Sequence, residues 1–384
     1  VPASSLSSHR GPLRLGMVGG GPGSFIGPVH RMAAELDGRI RLVAGSFSRD
    51  LDRSRQAAAG YGVAEDRVYA DVEAMIAGEA GRPDGIELVA VVTPNHLHFP
   101  VSKAALEAGL HVMSDKPAAL SLDEALALKA VAYAAPGHYG LTYTYTGYPM
   151  VREARDLIAS GRLGAVRKVV VEYSQGWLAQ PIEQGGDKQA SWRADPAQAG
   201  LGGCIADIGV HAFNIAEFVS GQRVARICPD LSRVVPGRTL DDDCNILLRF
   251  ENGAPGVLVA SQIATGDRNG LRLRVYGERG GLDWSHENPS VLVVNWLDQP
   301  TQVLHAAAGY LSASARASSR IPTGHPEGFI EAFANLYRDM ADAILDGAAG
   351  SVPSIDEGVR GMTFVTRAVE AAGAGWVNLE GAPQ

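Results

Sequence analysis

Cysteine is scarce in this chain: Cys204, Cys228 and Cys244 are the only three in 384 residues. An odd number cannot all pair, and the spacing matches no metal-ligand set, so a disulfide-stapled scaffold and a cysteine metal centre are both excluded as readings. A reducing cytoplasm fits this usage best. Basic charge is also in deficit, with 34 Lys and Arg against 42 Asp and Glu and a net charge of -8. That balance leaves no electropositive footprint, and a nucleic-acid partner is not expected. No apolar run approaches the roughly 20 residues that span a bilayer, so no membrane association is expected. Residues 1–12 are rich in serine and proline and lack the apolar stretch of a signal peptide; they read as a flexible tail. Repeats and low-complexity tracts are missing beyond that tail.

What is present is enough chain for two cores. Hydrophobic residues make up 46% and charged residues 20%, the ordinary balance of a globular protein. Over 13–143, short apolar runs at 13–19, 40–47, 86–93, 110–114 and 139–143 alternate with helical patterns such as 99–108 and 122–132. The second of these helices opens on Ser121-Leu-Asp-Glu124, a capping box. Apolar strands separated by helices predict a doubly wound parallel sheet, a Rossmann dinucleotide-binding domain over 13–143. From 144 to 384 the pattern becomes α+β. A helix over 149–160 and a strand over 166–174 lead into a long loop through Ser191-Trp-Arg193 and a helix from about 207 to 219. Strands follow over 245–251, 257–263, 271–276 and 291–297, and helices near 327–345 and 357–371 end the chain. Grouped strands predict an open, mostly antiparallel sheet.

Several constellations carry chemistry. Gly19-Gly-Gly-Pro-Gly-Ser-Phe-Ile-Gly27 follows the first strand and precedes a helix. Glycines there let a pyrophosphate approach backbone amides at the helix start, which makes Gly19, Gly21, Gly23, Phe25 and Ile26 candidate cofactor contacts. The loop holds three residues more than G-x-G-x-x-G. After the second strand, where an acid usually binds the ribose of NAD, stand Ser46, Ser48 and Arg49. Two hydroxyls and a guanidinium suit a 2′-phosphate, so the cofactor is NAD(P), leaning to NADP. Thr93, Pro94, Asn95 and His98 follow the third strand and face the same place; His96 and His98 lack a third ligand for a metal, and none is expected. Lys116 ends the fourth strand. Asp207 and His211 lie four apart and share one face if the segment is helical. A lysine, a carboxylate and an imidazole can move a proton to or from an alcohol while hydride moves elsewhere.

The ordered set of the glycine loop, Thr93-Pro-Asn95, Asp115-Lys-Pro117 and Gly203-x-x-x-Asp207-x-x-x-His211 resembles the Gfo/Idh/MocA oxidoreductases over nearly the whole chain after residue 12. Asp115 replaces the usual glutamate of that family, and the glycine loop is longer. The resemblance implies that Lys116 is the catalytic lysine, that Asp207 and His211 serve substrate binding and acid–base catalysis, and that substrates are sugars or cyclitols. Tyr143, Tyr145, Trp192, Arg193 and His325 are further candidates for a polyol pocket. His211 is the expected base, with Lys116 as the opposite assignment. A glycosidase that oxidises its sugar transiently and a non-catalytic sensor of nucleotide or sugar are the competing readings. The apolar strands over 257–263 and 291–297 predict a buried open sheet face and hence a homodimer or homotetramer.

Overall fold

The computed structural model describes residues 11–348 and 351–379; most of the expected tail lies outside them. The nucleotide half runs β1 (Leu13–Gly19), α1 (Ile26–Glu35), β2 (Ile40–Ser46), α2 (Leu51–Tyr61), α3 (Val72–Ala80), β3 (Leu88–Val92), α4 (His98–Glu107), β4 (His111–Ser114), α5 (Leu122–Ala134) and β5 (Tyr139–Leu141). Its five strands are all parallel in the order β2-β1-β3-β4-β5. Every residue of β3 is buried, as an unbroken apolar run between two helical layers requires. Ser121 Oγ accepts the Glu124 amide at 3.2 Å and so caps α5 where the sequence places its start. The Glu124 carboxylate accepts the Leu120 amide at 3.0 Å in place of the Ser121 amide of a full capping box. The direction of winding reverses between β1 and β3. Loops at the carboxyl ends of these strands therefore open a crevice, the usual ligand position in such sheets.

The second half continues with α6 (Pro149–Ala159), β6 (Val166–Ser174), α7 (Lys188–Arg193), α8 (Pro196–Ala199), α9 (Val210–Ser220), β7 (Val224–Ser232), β8 (Asp243–Phe250), β9 (Pro255–Ser261), β10 (Gly270–Gly277), β11 (Gly280–Ser285), β12 (Val291–Trp296), β13 (Gln302–His305), α10 (Ala313–Ala317), α11 (Phe329–Asp346), α12 (Ile355–Glu370) and β14 (Val377–Asn378). Nine strands form one sheet, β13-β12-β11-β10-β6-β9-β8-β7-β14, antiparallel except for the β6–β9 pair. Three expectations need correction. The long loop before Asp207 contains α7 and α8, each begun by an aspartate cap, Asp187 and Asp195. The helix carrying Asp207 starts as a π turn over Ile205–Gly209 and becomes α-helical only at Val210. Strands β7, β11, β13 and β14 were not expected. Pro229 disguises β7, because proline is at home only where no ladder needs its missing N–H. In the sheet, β14 pairs only with Ile227 and Arg226, so the outer ladder stops short of Pro229.

Helices α6 and α9 pack on one face of this sheet, and α12 lies against β7. On the other face Val257, Val259 and Val293 are half-buried while Leu247 and Val303 are exposed. Arg272–Asp283 and Arg274–Glu172 pairs are set among them. The late helices turn back onto the nucleotide half: α11 packs on α1 and α12 on α5. Phe333, Leu336, Tyr337 and Met340 of α11 share one apolar cluster with Met17, Val29 and Met113. His30 of α1 is fully buried there, its Nδ1 2.7 Å from the Tyr337 hydroxyl and its ring edge-on to Phe333.

Candidate active site

A cleft of about 730 Å3 opens between the halves, floored by the carboxyl ends of the parallel strands and walled by the edge of the large sheet. Its first wall is the glycine loop. Gly21 leaves no room for a side chain: a Cβ there would stand 2.6 Å from the Phe47 carbonyl oxygen. A Cβ on Gly27, at the start of α1, would meet the Gly20 Cα at 2.5 Å, so the helix N-terminus sits directly on the loop. Gly19, Gly21, Phe25 and Ile26 all line the cleft. Beside them the Thr93 hydroxyl is buried with no hydrogen-bond partner among the described residues. A loop with glycine where the backbone is most crowded, a helix N-terminus and an unanswered hydroxyl fit a dinucleotide.

Thr93, Pro94, Asn95 and His98 line the same stretch. His98 acts as a brace as well: its ring nitrogens lie 2.9 Å from the Thr93 carbonyl and 2.6 Å from the Pro117 carbonyl. It thereby ties the loop after β3 to the loop after β4, where the Lys116–Pro117 bond is cis. Asp115 fixes that second loop, accepting from the Lys116 amide at 2.8 Å and the Thr142 hydroxyl at 2.9 Å.

Lys116 extends from this loop to the π turn. Its Nζ donates to Asp207 Oδ1 at 2.9 Å and to the Asp207 carbonyl at 2.5 Å. Arg193 Nε at 3.1 Å and Gln262 Nε2 at 2.9 Å both donate to Asp207 Oδ2. Burial favours the protonated acid, but the charges of Lys116 and Arg193 outweigh it and hold the Asp207 carboxyl far below the usual range. The π turn is anchored by Asp241, which accepts the amides of Gly203 and Ile205 at 2.7 Å each. One extra residue in that turn changes the angle between Asp207 and His211 from the α-helical one, a distortion found often at functional sites. His211 is set among the rings of Tyr143, Tyr145 and Tyr173, the nearest centroid being Tyr145 at 5.0 Å. Burial, aided by the Lys116 charge and opposed by Asp207, pushes its pKa well below the ordinary histidine value. The imidazole is therefore neutral at neutral pH and able to accept a proton.

The far wall was largely missed from sequence. The Tyr145 and Tyr173 hydroxyls hydrogen-bond to each other, Tyr173 donates to Asn269 Oδ1 at 2.7 Å, and Gln175 Nε2 donates to the same oxygen at 2.7 Å. Trp177 Nε1 donates to Gln175 at 3.0 Å, and His286 joins through contacts with Asn269 and Tyr148. Gln175 and Asn269 meet because β6 and β10 pair with Ser174 opposite Gly270, so both lie one step past the same sheet edge. Polar residues ending adjacent strands were the signal available. Trp192 and Arg193 come in from α7, with the guanidinium 4.2 Å from the Trp192 ring centroid.

Five expected contacts fall elsewhere. His325 is exposed and directed to its own turn, its Nδ1 3.1 Å from the Pro322 carbonyl, because Glu327 binds the Arg320 and Ile321 amides and folds the segment outward. Arg49 is exposed off the cleft, and Arg53 is the guanidinium that lines it next to Ser48. Ser46 is buried in the sheet, where it pairs with Val18. Gly23 is at the tip of the glycine loop, clear of the cleft lining. Tyr143 is a core residue that supports His211 from behind.

Residues 13–142 match the family model described as an oxidoreductase family with an NAD-binding Rossmann fold, and residues 151–283 match a GFO/IDH/MocA C-terminal domain. The chain belongs to the Gfo/Idh/MocA family of oxidoreductases. An uncharacterized oxidoreductase of Bacillus subtilis is 33% identical over 96% of this chain and 97% of its own. An inositol dehydrogenase homologue from Azotobacter vinelandii, solved with NAD+, superposes with a TM-score of 0.92 at 39% identity, covering 96% of this chain and 97% of that one. The same homologue has been solved with NADH and myo-inositol. Levoglucosan dehydrogenase of Pseudarthrobacter phenanthrenivorans is 27% identical over 73% of this chain and 76% of its own. As a Gfo/Idh/MocA enzyme this protein is an NAD(P)-dependent oxidoreductase with a Rossmann half and an open-sheet half. Among the described residues no helix is long and apolar enough to cross a membrane, and no group of His, Cys, Asp and Glu could hold a metal ion.

Proposed function

We propose that the protein is a dehydrogenase of a ring polyol, a cyclitol or a pyranose, that oxidises one hydroxyl to a ketone or runs the reverse reaction. The observation that carries this is a neutral His211 beside a charge-clamped Lys116–Asp207 pair, in a cleft whose other end is the glycine loop. The nicotinamide, when bound, supplies the hydride acceptor. His211 takes the hydroxyl proton through an imidazole nitrogen as the carbon loses hydride. Lys116 donates a hydrogen bond to the reacting oxygen and stabilises its developing negative charge. Asp207 holds the Lys116 ammonium in place and favours the imidazolium formed on His211. Amide, hydroxyl and imidazole groups of Gln175, Asn269, Tyr173 and His286 offer the donors and acceptors that a ring of hydroxyls requires. Myo-inositol and levoglucosan, named for the relatives, are ring polyols of this kind. NADP over NAD is the finer reading, and it rests on Ser48 and Arg53 facing the ribose end of the cleft.

The test is a panel of inositols, aldoses, glycosides and simple secondary alcohols, each with NAD and with NADP, read by formation of reduced cofactor. Ring polyols are expected to be the best substrates. Faster turnover of a simple secondary alcohol than of every ring polyol would overturn the proposal, as would glycoside cleavage without net cofactor reduction.

A further inference from the structure

The extra length of the glycine loop, and Lys188 at the start of the short helix crossing above it, have no part in the chemistry just described. Relative to G-x-G-x-x-G the loop carries three additional residues before Gly27. That excursion raises Pro22 to meet α7 of the substrate half, where Lys188 Nζ donates to the Pro22 carbonyl at 3.3 Å. A second tie follows close by, Asn95 Nδ2 donating to the Ala199 carbonyl at 3.0 Å. Lys188 lines the cleft together with Gly20, Gly21, Pro22 and Phe25.

The other cations of the cleft have different posts. Lys116 and Arg193 hold Asp207, Arg53 stands beside Ser48, and Arg268 lies next to Asn269 on the far wall. Lys188 has no ion pair among the described residues, and its one hydrogen bond goes to an uncharged carbonyl. A pyrophosphate at the start of α1 brings two negative charges, whereas a helix N-terminus answers with about half a positive charge. An ammonium is missing from the nucleotide half at that point, and the substrate half delivers one.

We propose that Lys188 is a cofactor ligand: it exchanges the Pro22 carbonyl for a pyrophosphate oxygen of the bound dinucleotide. This rests on the reading of the cleft as the NAD(P) site. Helix α7 ends at Arg193, whose guanidinium already holds Asp207, so one short helix joins this cofactor contact to the carboxylate beside Lys116.

The experiment is titration of the purified protein and its Lys188→Met, Lys188→Gln and Lys188→Arg variants with NADH, NADPH and ADP-ribose, followed by calorimetry. Methionine and glutamine are each expected to weaken NADH and ADP-ribose by about tenfold, the low end for a charge-assisted contact at an exposed position. Arginine should restore binding to within about threefold, and the salt dependence of binding should flatten in the uncharged variants. Unchanged affinity in Lys188→Met overturns the proposal. So does wild-type affinity in Lys188→Gln, which would assign any effect to the Pro22 hydrogen bond and not to charge. Loss of NADH affinity with ADP-ribose unaffected would place Lys188 on the nicotinamide and equally overturn it. If the unmodified protein binds none of the three ligands, the cofactor reading falls and Lys188 with it.

Discussion

His30 should make the folded protein acid-sensitive through one buried imidazole. Complete burial lowers its pKa to about 4 from 6.5, and the nearby Asp115 charge offsets only part of that. Tyr337 occupies Nδ1, while Nε2 has no partner among the described residues to welcome a proton. Above pH 6.5 neither folded nor unfolded chain carries the proton, and stability is at its full value. As pH falls, the unfolded chain binds a proton that the folded one refuses, and stability declines until the folded value near 4 is passed. The complete gap is worth about 3 kcal/mol, and about 2 kcal/mol of it is lost by pH 5. His30→Gln keeps a polar partner for the Tyr337 hydroxyl and removes the titration. Urea unfolding of both proteins at pH 7.5, 6 and 5 should show the wild type losing about 2 kcal/mol more than the variant across that range. Parallel loss of stability in the two proteins would refute the reasoning, whatever their stabilities at neutral pH.

His211→Ala and Lys116→Ala should each lower kcat by at least about a hundredfold, with cofactor affinity within a few-fold; near-normal turnover in either would remove that residue from the chemistry. In the wild type the rate of alcohol oxidation should rise with pH through a value well below 6.5, set by the buried His211, and stay flat at neutral pH; an acid limb centred above neutrality would point to another base. Arg53→Ala should weaken NADPH about tenfold and NADH little, because only the former offers a 2′-phosphate for a charge-assisted contact; equal effects on both would cancel the preference. Light scattering at micromolar concentration should give a dimer or tetramer that hides Leu247, Val257, Val293 and Val303, and Val257→Glu should dissociate it; a monomeric mass in the wild type contradicts that assembly.

The parts of the fold that were legible in the sequence are those whose instructions are local. The five parallel strands announce themselves as apolar runs, α5 by its capping serine, and the glycine loop by its composition. Lys116 stood out at the end of a strand, and Asp207 and His211 by their spacing of four; the fold brings all three to one cleft. What escaped depends on partners distant in the chain. Asn269 and Gln175 become neighbours only through the pairing of β10 with β6. Arg53 lines the cleft and Arg49 does not, because Arg53 sits on the first turn of α2 while Arg49 precedes its Asp50 cap. His325 looked like a site residue from its place before a long helix, yet Glu327 spends its carboxylate on turning that segment away. The π turn could not be read at all, since a spacing of four suits an ordinary helix equally well.

The return of α11 to the nucleotide half bears on how such enzymes can be recombined. Phe333, Leu336, Tyr337 and Met340 complete the apolar layer over α1, and the Arg39–Asp342 and Arg320–Asp37 pairs fasten its rim. A chimera that joined residues 13–143 to the remainder of a relative would inherit a foreign lid on its own core, with His30 facing whatever side chain had replaced Tyr337. Exchange of cofactor preference between relatives therefore has to carry two separate stretches of gene, the first third and the late helix, as one cassette.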